Sequence, residues 1–279
     1  LLGIFLSENQ SLTELNLHSN ELGPNGLRTI VEQMAVLASL NTLDLGNNIR
    51  SPGIKLNVEK GFNKGMSKGG AEESLTSKQL LDLSTLLGAI GKLVTLEKFH
   101  FDNNALSELP TIGSLMSLKV LSLVGNRLEA LPDDIGQLSQ LKRLSLRGNR
   151  LKELHTSIGM LGSLEALDLR GNRLLYLPNS IGQCSSLKSL DVADNLLTRL
   201  EIAICEVVSL EKLEVAGNPL QKPPLSLAKQ GIQPIRRYFQ ELAKSGETQS
   251  FAGRMVFLGH GESGKTSLQR GLRADLMRA

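Results

Sequence analysis

The sequence predicts an α/β solenoid, in which short parallel strands stack into one curved sheet on the concave face and a helix closes the C-terminal end. Three observations carry this. The spelling L-x-x-L-x-L-x-x-N-x-L occupies residues 141–151. It recurs at 118–128 and 164–174 and, with Val192 or Val215 at one leucine position, at 187–197 and 210–220. Its asparagines, Asn126, Asn149, Asn172, Asn195 and Asn218, follow one another at 23 residues. A leucine-rich helical bundle would need apolar spacing near 3.6, which these segments lack.

Each turn of the repeat has a physical reason. Leu144-x-Leu146 is the period of a strand with one buried face. Asn149 follows where the chain must turn. No single turn can bury its leucines alone, so neighbours must bury them together. The spelling resembles the intracellular leucine-rich repeats. That resemblance implies that the asparagine side chains bond backbone groups of the turn and stack into a ladder. Such bonding keeps turning backbone satisfied inside a core.

Composition limits the function. A net charge of +3 is too small to argue for nucleic-acid or membrane partners. No apolar run reaches the roughly 18 residues that cross a bilayer. The chain has no initiator Met and no signal-peptide pattern, and it opens in mid-repeat, as a fragment of a longer parent would. Its two cysteines, Cys184 and Cys205, form no cysteine-rich cap of the extracellular kind, so a reducing, cytoplasmic compartment is expected. Cys184 stands where neighbouring turns carry Leu138 and Leu161, the place of a core filler.

In chain order, residues 1–11 read as the tail of a helix. Residues 12–22 are the first full signature, followed by Gly23-Pro24-Asn25-Gly26 and a helical stretch at 27–37. Asn48 comes 28 residues after Asn20. This longer step resembles the ribonuclease-inhibitor-like class and covers residues 1–54. Residues 55–95 break the rhythm. The stretch 55–74 alternates Gly61, Gly65, Gly69 and Gly70 with Lys60, Lys64 and Lys68, an exposed insertion or a dock for an acidic partner. Residues 75–93 read as a helix with Ser77 as cap. The short class runs over 96–222. Its outer segments carry Leu-Pro, at 109, 131 and 177, and then Ile-Gly, at 112, 135, 158 and 181. Proline favours extended or tightly turned backbone there, so short 3₁₀ pieces are expected rather than long helices. The first short turn has one residue fewer between its Pro and Ile.

Residues alternating with the buried leucines point out of the concave face. One column is Asn16, Asp44, His100, Ser122, Ser145, Asp168, Asp191 and Glu214. The next is His18, Gly46, Asp102, Val124, Arg147, Arg170, Ala193 and Ala216. Arg143, Arg147 and Arg170 are thus expected to neighbour Asp168, Asp191 and Glu214. These six are the candidate site for a protein partner; the alternative is a salt-bridged face that only keeps the protein soluble.

After Asn218 the repeats stop. Ile232, Ile235, Tyr238, Phe239 and Leu242 follow helical spacing, so residues 223–246 are expected to cap the core. Residues 254–258 then read as a buried strand. They run into Gly259-His260-Gly261-Glu262-Ser263-Gly264-Lys265-Thr266, which matches G-x-x-x-x-G-K-[ST], with helical sequence from Ser267. In this pattern the backbone N–H groups at Gly259, Gly261, Glu262, Ser263, Gly264 and Ser267 converge on phosphate oxygens. Lys265 supplies charge to the β and γ phosphates, and the Thr266 hydroxyl ligates Mg²⁺.

A phosphate-binding loop placed after the repeats and a capping helix resembles the Roco family. There, leucine-rich repeats precede a Ras-like Roc domain and its COR partner. The resemblance implies that residues 247–279 open a Roc domain. It also implies a parent that binds GTP or GDP with Mg²⁺, hydrolyses GTP slowly, dimerises through COR and sometimes carries a kinase. The concave face would bind a protein partner or the downstream Roc and COR domains. The switch regions and guanine-reading motif do not occur before Ala279, so this fragment is expected neither to catalyse hydrolysis nor to hold a nucleotide tightly. The alternative is a non-enzymatic repeat adaptor whose loop is vestigial or belongs to an ATPase.

Overall fold

The computed structural model describes residues 11–34, 37–49 and 90–245, together with Leu6 and Asn9. The chain divides into two compact units, Leu1–Gln240 and Glu241–Ala279. Of the second, only 241–245 are described. The Gly/Lys-rich stretch 55–74, the helix start at Ser77 and the phosphate-loop residues 259–267 all lie outside the described residues.

The first unit is built on an open parallel sheet of three-residue strands. These are β1 Glu14–Asn16, β2 Thr42–Asp44, β3 Lys98–His100, β4 Val120–Ser122, β5 Arg143–Ser145, β6 Ala166–Asp168, β7 Ser189–Asp191 and β8 Lys212–Glu214. They are ordered in space as in sequence. Between consecutive strands the register puts like on like: Leu144 sits opposite Leu121 and Leu167, and Leu190 opposite Leu213. β2 pairs directly with β3, so the long step between them adds no described strand to the sheet.

Three residues per strand bury too little to hold a turn in place, and the bonding beyond the strands supplies the rest. Asn149 Nδ2 donates to Leu146 O of its own turn (2.8 Å) and to Leu123 O of the turn before (2.9 Å). Its Oδ1 accepts from Leu128 N (3.0 Å). Asn172, Asn195 and Asn218 repeat this set. The asparagines are buried, so these backbone groups have no water to turn to. The expected ladder is therefore real, but its rungs run through shared carbonyls: Leu146 O accepts from both Asn149 and Asn172.

The outer face follows the two repeat classes. Helix α1, Gly23–Met34, buries Leu27, Ile30, Val31 and Met34, one stripe at helical spacing. It begins four residues earlier than expected. Gly-Pro-Asn-Gly is its first turn, where Pro24 has no N–H to leave unpaired. It also ends before Leu37. The short turns carry 3₁₀ helices, as expected: η1 Asp133–Gln137, η2 Thr156–Met160, η3 Asn179–Gln183 and η4 Ile202–Cys205. Ile135, Ile158, Ile181 and Ile204 drop from them into the core. The shortened turn at 109–112 has no 3₁₀ helix. Gly159 has a packing reason, because a Cβ there would overlap the Ser180 carbonyl of the next turn. Where Pro132 and Pro178 give way to His155, the entry stays extended and the imidazole accepts from Ser157 N (3.2 Å).

Two helices close the C-terminal end, α2 Leu225–Ala228 and α3 Ile232–Ser245. Ile232 and Ile235 are buried, and Phe239 packs against the core with Tyr238 edge-on to it. The sequence-based expectation for Leu242 is corrected: it is exposed and outside the core. Arg236 does what no apolar side chain could, donating from Nη2 to Val207 O (2.6 Å) in the last turn.

Asn149→Ala leaves Leu128 N without a partner and removes two donations, although Leu123 O and Leu146 O each keep a second asparagine. A loss of about 2–4 kcal/mol is expected in urea unfolding.

Candidate functional site

The sheet face is where the six sequence-predicted residues fall. The ladder aligns Ser145, Asp168, Asp191 and Glu214 as one column. Arg143 opens β5 and is exposed; Arg147 lies two residues past β5 and is exposed; Arg170 lies two residues past β6 and is half-buried.

The direct contacts of these arginines and carboxylates run partly to other residues. Arg170 Nε meets Asp194 Oδ2 at 3.0 Å, a residue outside the six. Arg143 acts on Glu165, whose pKa is lowered chiefly by its hydrogen bond and charge contact with Lys188. Glu214 faces Lys212 at 3.9 Å. Arg147 and Arg170 do lie near enough to Asp168 to favour its charged form.

Asp168 and Asp191 are held by the fold itself. Asp168 Oδ1 accepts from Arg170 N (3.0 Å), and Asp191 Oδ1 accepts from Ala193 N (2.9 Å). Asn16 and Asp44 do the same for His18 N and Gly46 N. Each side chain thus satisfies the N–H exposed where its strand ends. Burial, above all, raises the Asp168 pKa from its ordinary value, and the Asp191 carboxylate adds to that against the Arg170 N–H bond.

Asp194 was not legible as a site residue. It stands at φ +55°, where the turns before and after carry Gly171 and Gly217. A left-handed non-glycine costs energy, so its presence asks for a reason. Two are visible: the pair with Arg170, and the side chain's place over Gly217, where a Cβ would collide with it.

At the other end of the face, His18, Asp44 and Ser19 imitate a catalytic triad without its chemistry. His18 Nδ1 meets Asp44 Oδ1 at 3.1 Å, but Nε2 is taken by Asn47 Nδ2 at 2.8 Å, and the same amide reaches Ser19 Oγ. With Nε2 accepting from an amide, the ring has no lone pair for a nucleophile. No group of three metal-ligating side chains occurs among the described residues. Cys184 is buried, donates to Ile158 O (3.3 Å) and has its thiol pushed up to about 11 by burial. Burial also raises the Cys205 thiol. Both are free thiols and neither is activated. Among the described residues no helix is long and apolar enough to cross a membrane.

Family models match in three places: a leucine-rich repeat region over residues 133–224, and single leucine-rich repeats over 8–31 and 117–138. No curated protein matches the sequence. Among solved structures, a leucine-rich repeat protein of Leptospira interrogans is similar at 28% identity and a TM-score of 0.52, over 78% of this chain and 58% of that one. An internalin, InlF, of Listeria monocytogenes shares the fold at 17% identity and a TM-score of 0.52, over 77% of this chain and 58% of that one. The chain spans less than two-thirds of the length of either.

Asp168→Asn keeps the Oδ1 acceptor and removes the titration. A carboxyl whose folded pKa is raised binds its proton more tightly in the folded state. Wild-type stability from this group therefore falls as pH rises from the ordinary value of 3.8 through the raised one. Relative to wild type, the variant is expected to be more stable at pH 7 than at pH 3.5 in paired urea titrations. Thiol titration of the native protein at pH 8 is expected to modify Cys205 before Cys184, with Cys184 reacting only on unfolding.

Proposed function

From the premise of a leucine-rich repeat solenoid, we propose that the chain is the protein-recognition arm of a nucleotide-switched signalling protein of the Roco kind. The observation that carries the recognition half is the sheet face. On it β6 to β8 display a register-locked column of carboxylates, Asp168, Asp191 and Glu214, beside Arg143, Arg147 and Arg170. Rigid strands fix the spacing of these charges, so a partner meets them without an ordering cost. Charges held this way steer encounter and set specificity more than they add affinity.

The switch half rests on sequence. Gly259 to Thr266 follows a strand pattern and precedes a helical one, the context in which a glycine loop binds phosphates. In the parent, Lys265 would neutralise the β and γ phosphates and Thr266 would hold Mg²⁺, with GTP as the nucleotide and COR as the dimerisation module. The competing assignment is a repeat adaptor whose loop serves an ATPase or nothing. Calorimetric titration of the parent protein with GTP and with ATP separates them. GTP binding abolished by Lys265→Ala supports the switch; preference for ATP, or no binding, refutes it.

The face has its own test. Reversal of Arg143, Arg147 and Arg170 to Glu is expected to weaken capture of the partner by an immobilised chain at least about tenfold, with an unfolding midpoint close to wild type. Undiminished capture would sink the assignment of this face.

A further inference from the structure

The two edges of the sheet differ in charge. Before the strands, Glu97 pairs with Lys119 (2.7 Å), and Lys188 and Lys142 flank Glu165 (3.0 and 3.8 Å). That edge neutralises itself. After the strands, the chain turns through each buried asparagine, and in four consecutive repeats the position that follows it is Arg127, Arg150, Arg173 and Leu196. Backbone bonds place these four in one column, from Arg127 N to Leu106 O, Arg150 N to Leu128 O, Arg173 N to Leu151 O and Leu196 N to Leu174 O. Successive arginines therefore stand one rung apart, about 5 Å.

Two members of this column, Arg150 and Arg173, are held cationic. Neither Arg150 nor Arg173 forms a salt bridge among the described residues. Both act from a distance on Glu129, which is itself taken by Lys152 at 2.8 Å. Glu153, the next carboxylate along, accepts from Tyr176 Oη (2.6 Å). The column ends in apolar side chains. Leu175 is 55% exposed, Leu196 48% and Tyr176 43%. Leu175 N bonds Lys152 O and Leu196 N bonds Leu174 O, so the two leucines belong to adjacent rungs. In the adjoining turns these places are polar: Arg173 and Arg150 stand where Leu196 does, and Lys152 and Thr198 where Leu175 does.

We infer that this turn face, outside the concave sheet, is a second docking surface, and that its occupant is an acidic protein segment carrying a large apolar side chain. Two observations choose that chemistry. Arg150 and Arg173, adjacent and with no salt bridge of their own among the described residues, demand an anionic partner and offer planar forks that fit carboxylates. The adjoining exposed leucines demand an apolar group in the same ligand. A nucleic acid fits less well: Tyr176, the single aromatic of the patch, has a carboxylate on its hydroxyl, where a base stacked on its ring would bring phosphates close to Glu153. The inference does not depend on the concave-face assignment, since it uses none of Arg143, Arg147 or Arg170.

The test is fluorescence anisotropy of the full chain with a labelled glutamate-rich dodecapeptide holding one central leucine. The comparators are the same peptide with serine in its place and a dodecathymidylate. The expected result is saturable binding that weakens with salt. Arg150→Glu with Arg173→Glu should weaken it at least tenfold. Leu175→Ser with Leu196→Ser should weaken the leucine peptide but leave the serine peptide unchanged. Arg143→Glu should have no effect. Should the double reversal shift the urea midpoint, Arg173→Gln at the exposed end of the column carries the test, with a loss of threefold or more. No saturable binding, tighter binding of dodecathymidylate, equal binding of the two peptides, or loss on Arg143→Glu each overturns the inference. The last of these leaves the concave-face assignment standing.

Discussion

A buried turn leaves backbone N–H and C=O groups that three-residue strands cannot satisfy, and everything else in this molecule depends on how that is solved. One asparagine per repeat does it, at Asn126, Asn149, Asn172, Asn195 and Asn218, and earlier at Asn48 and Asn104. Each reaches into the turn before it, so a repeat is completed only by its successor. Asn20, in the first described turn, shows the contrast. It is exposed, and among the described residues its side chain bonds His18 O of its own turn. A solenoid of this kind draws its stability from neighbour contacts rather than from any single repeat. Arg236 extends the same logic to the C-terminal end, where α3 provides a donor for Val207 O after the last asparagine.

Because the asparagines and leucines lock the register, the variable positions become fixed columns. Function is free to vary there at little cost to the core. Three different surfaces result from one repeat: the column Ser145 to Glu214 on the sheet, the self-neutralising edge around Glu165, and the arginine column that ends in Leu196. The division is not absolute. Asp168 and Asp191 lie on the sheet face yet cap the ends of their own strands, so a change there alters stability as well as charge. Asp194 tolerates a left-handed backbone to hold Arg170, an arrangement that fixes one charged group of the face in position.

What the sequence made legible was whatever the repeat imposes. The strands, their register, both face columns, the 3₁₀ segments and the capping helix all follow from period and proline placement. What escaped it depends on single exceptions to the period. Nothing in a consensus marks Asp194 as the partner of Arg170, since its place in the turn is normally a glycine. His155 reads as a missing proline until its ring is seen accepting from Ser157 N. Arg236 lies on an amphipathic helix where an arginine is expected to be solvated. α1 starts early because Gly-Pro reads as a turn, although proline is at home in a first helical turn. The arginine column was visible in the sequence as R-G-N-R, but the unneutralised state of Arg150 and Arg173 was not. That depends on which carboxylates the neighbouring lysines and Tyr176 had already taken.

The asparagine account makes a claim about particular hydrogens. The amides of Leu128, Leu151, Leu174 and Leu197 lie outside the strands, and each donates to an asparagine Oδ1 of the following turn at 3.0 Å. Site-resolved hydrogen exchange is therefore the most direct measurement. These four amides should be protected as strongly as those of Leu144 and Leu167 inside the sheet. Fast exchange at the four, with the strands still protected, would show that the turns are held by leucine packing alone and would contradict the account.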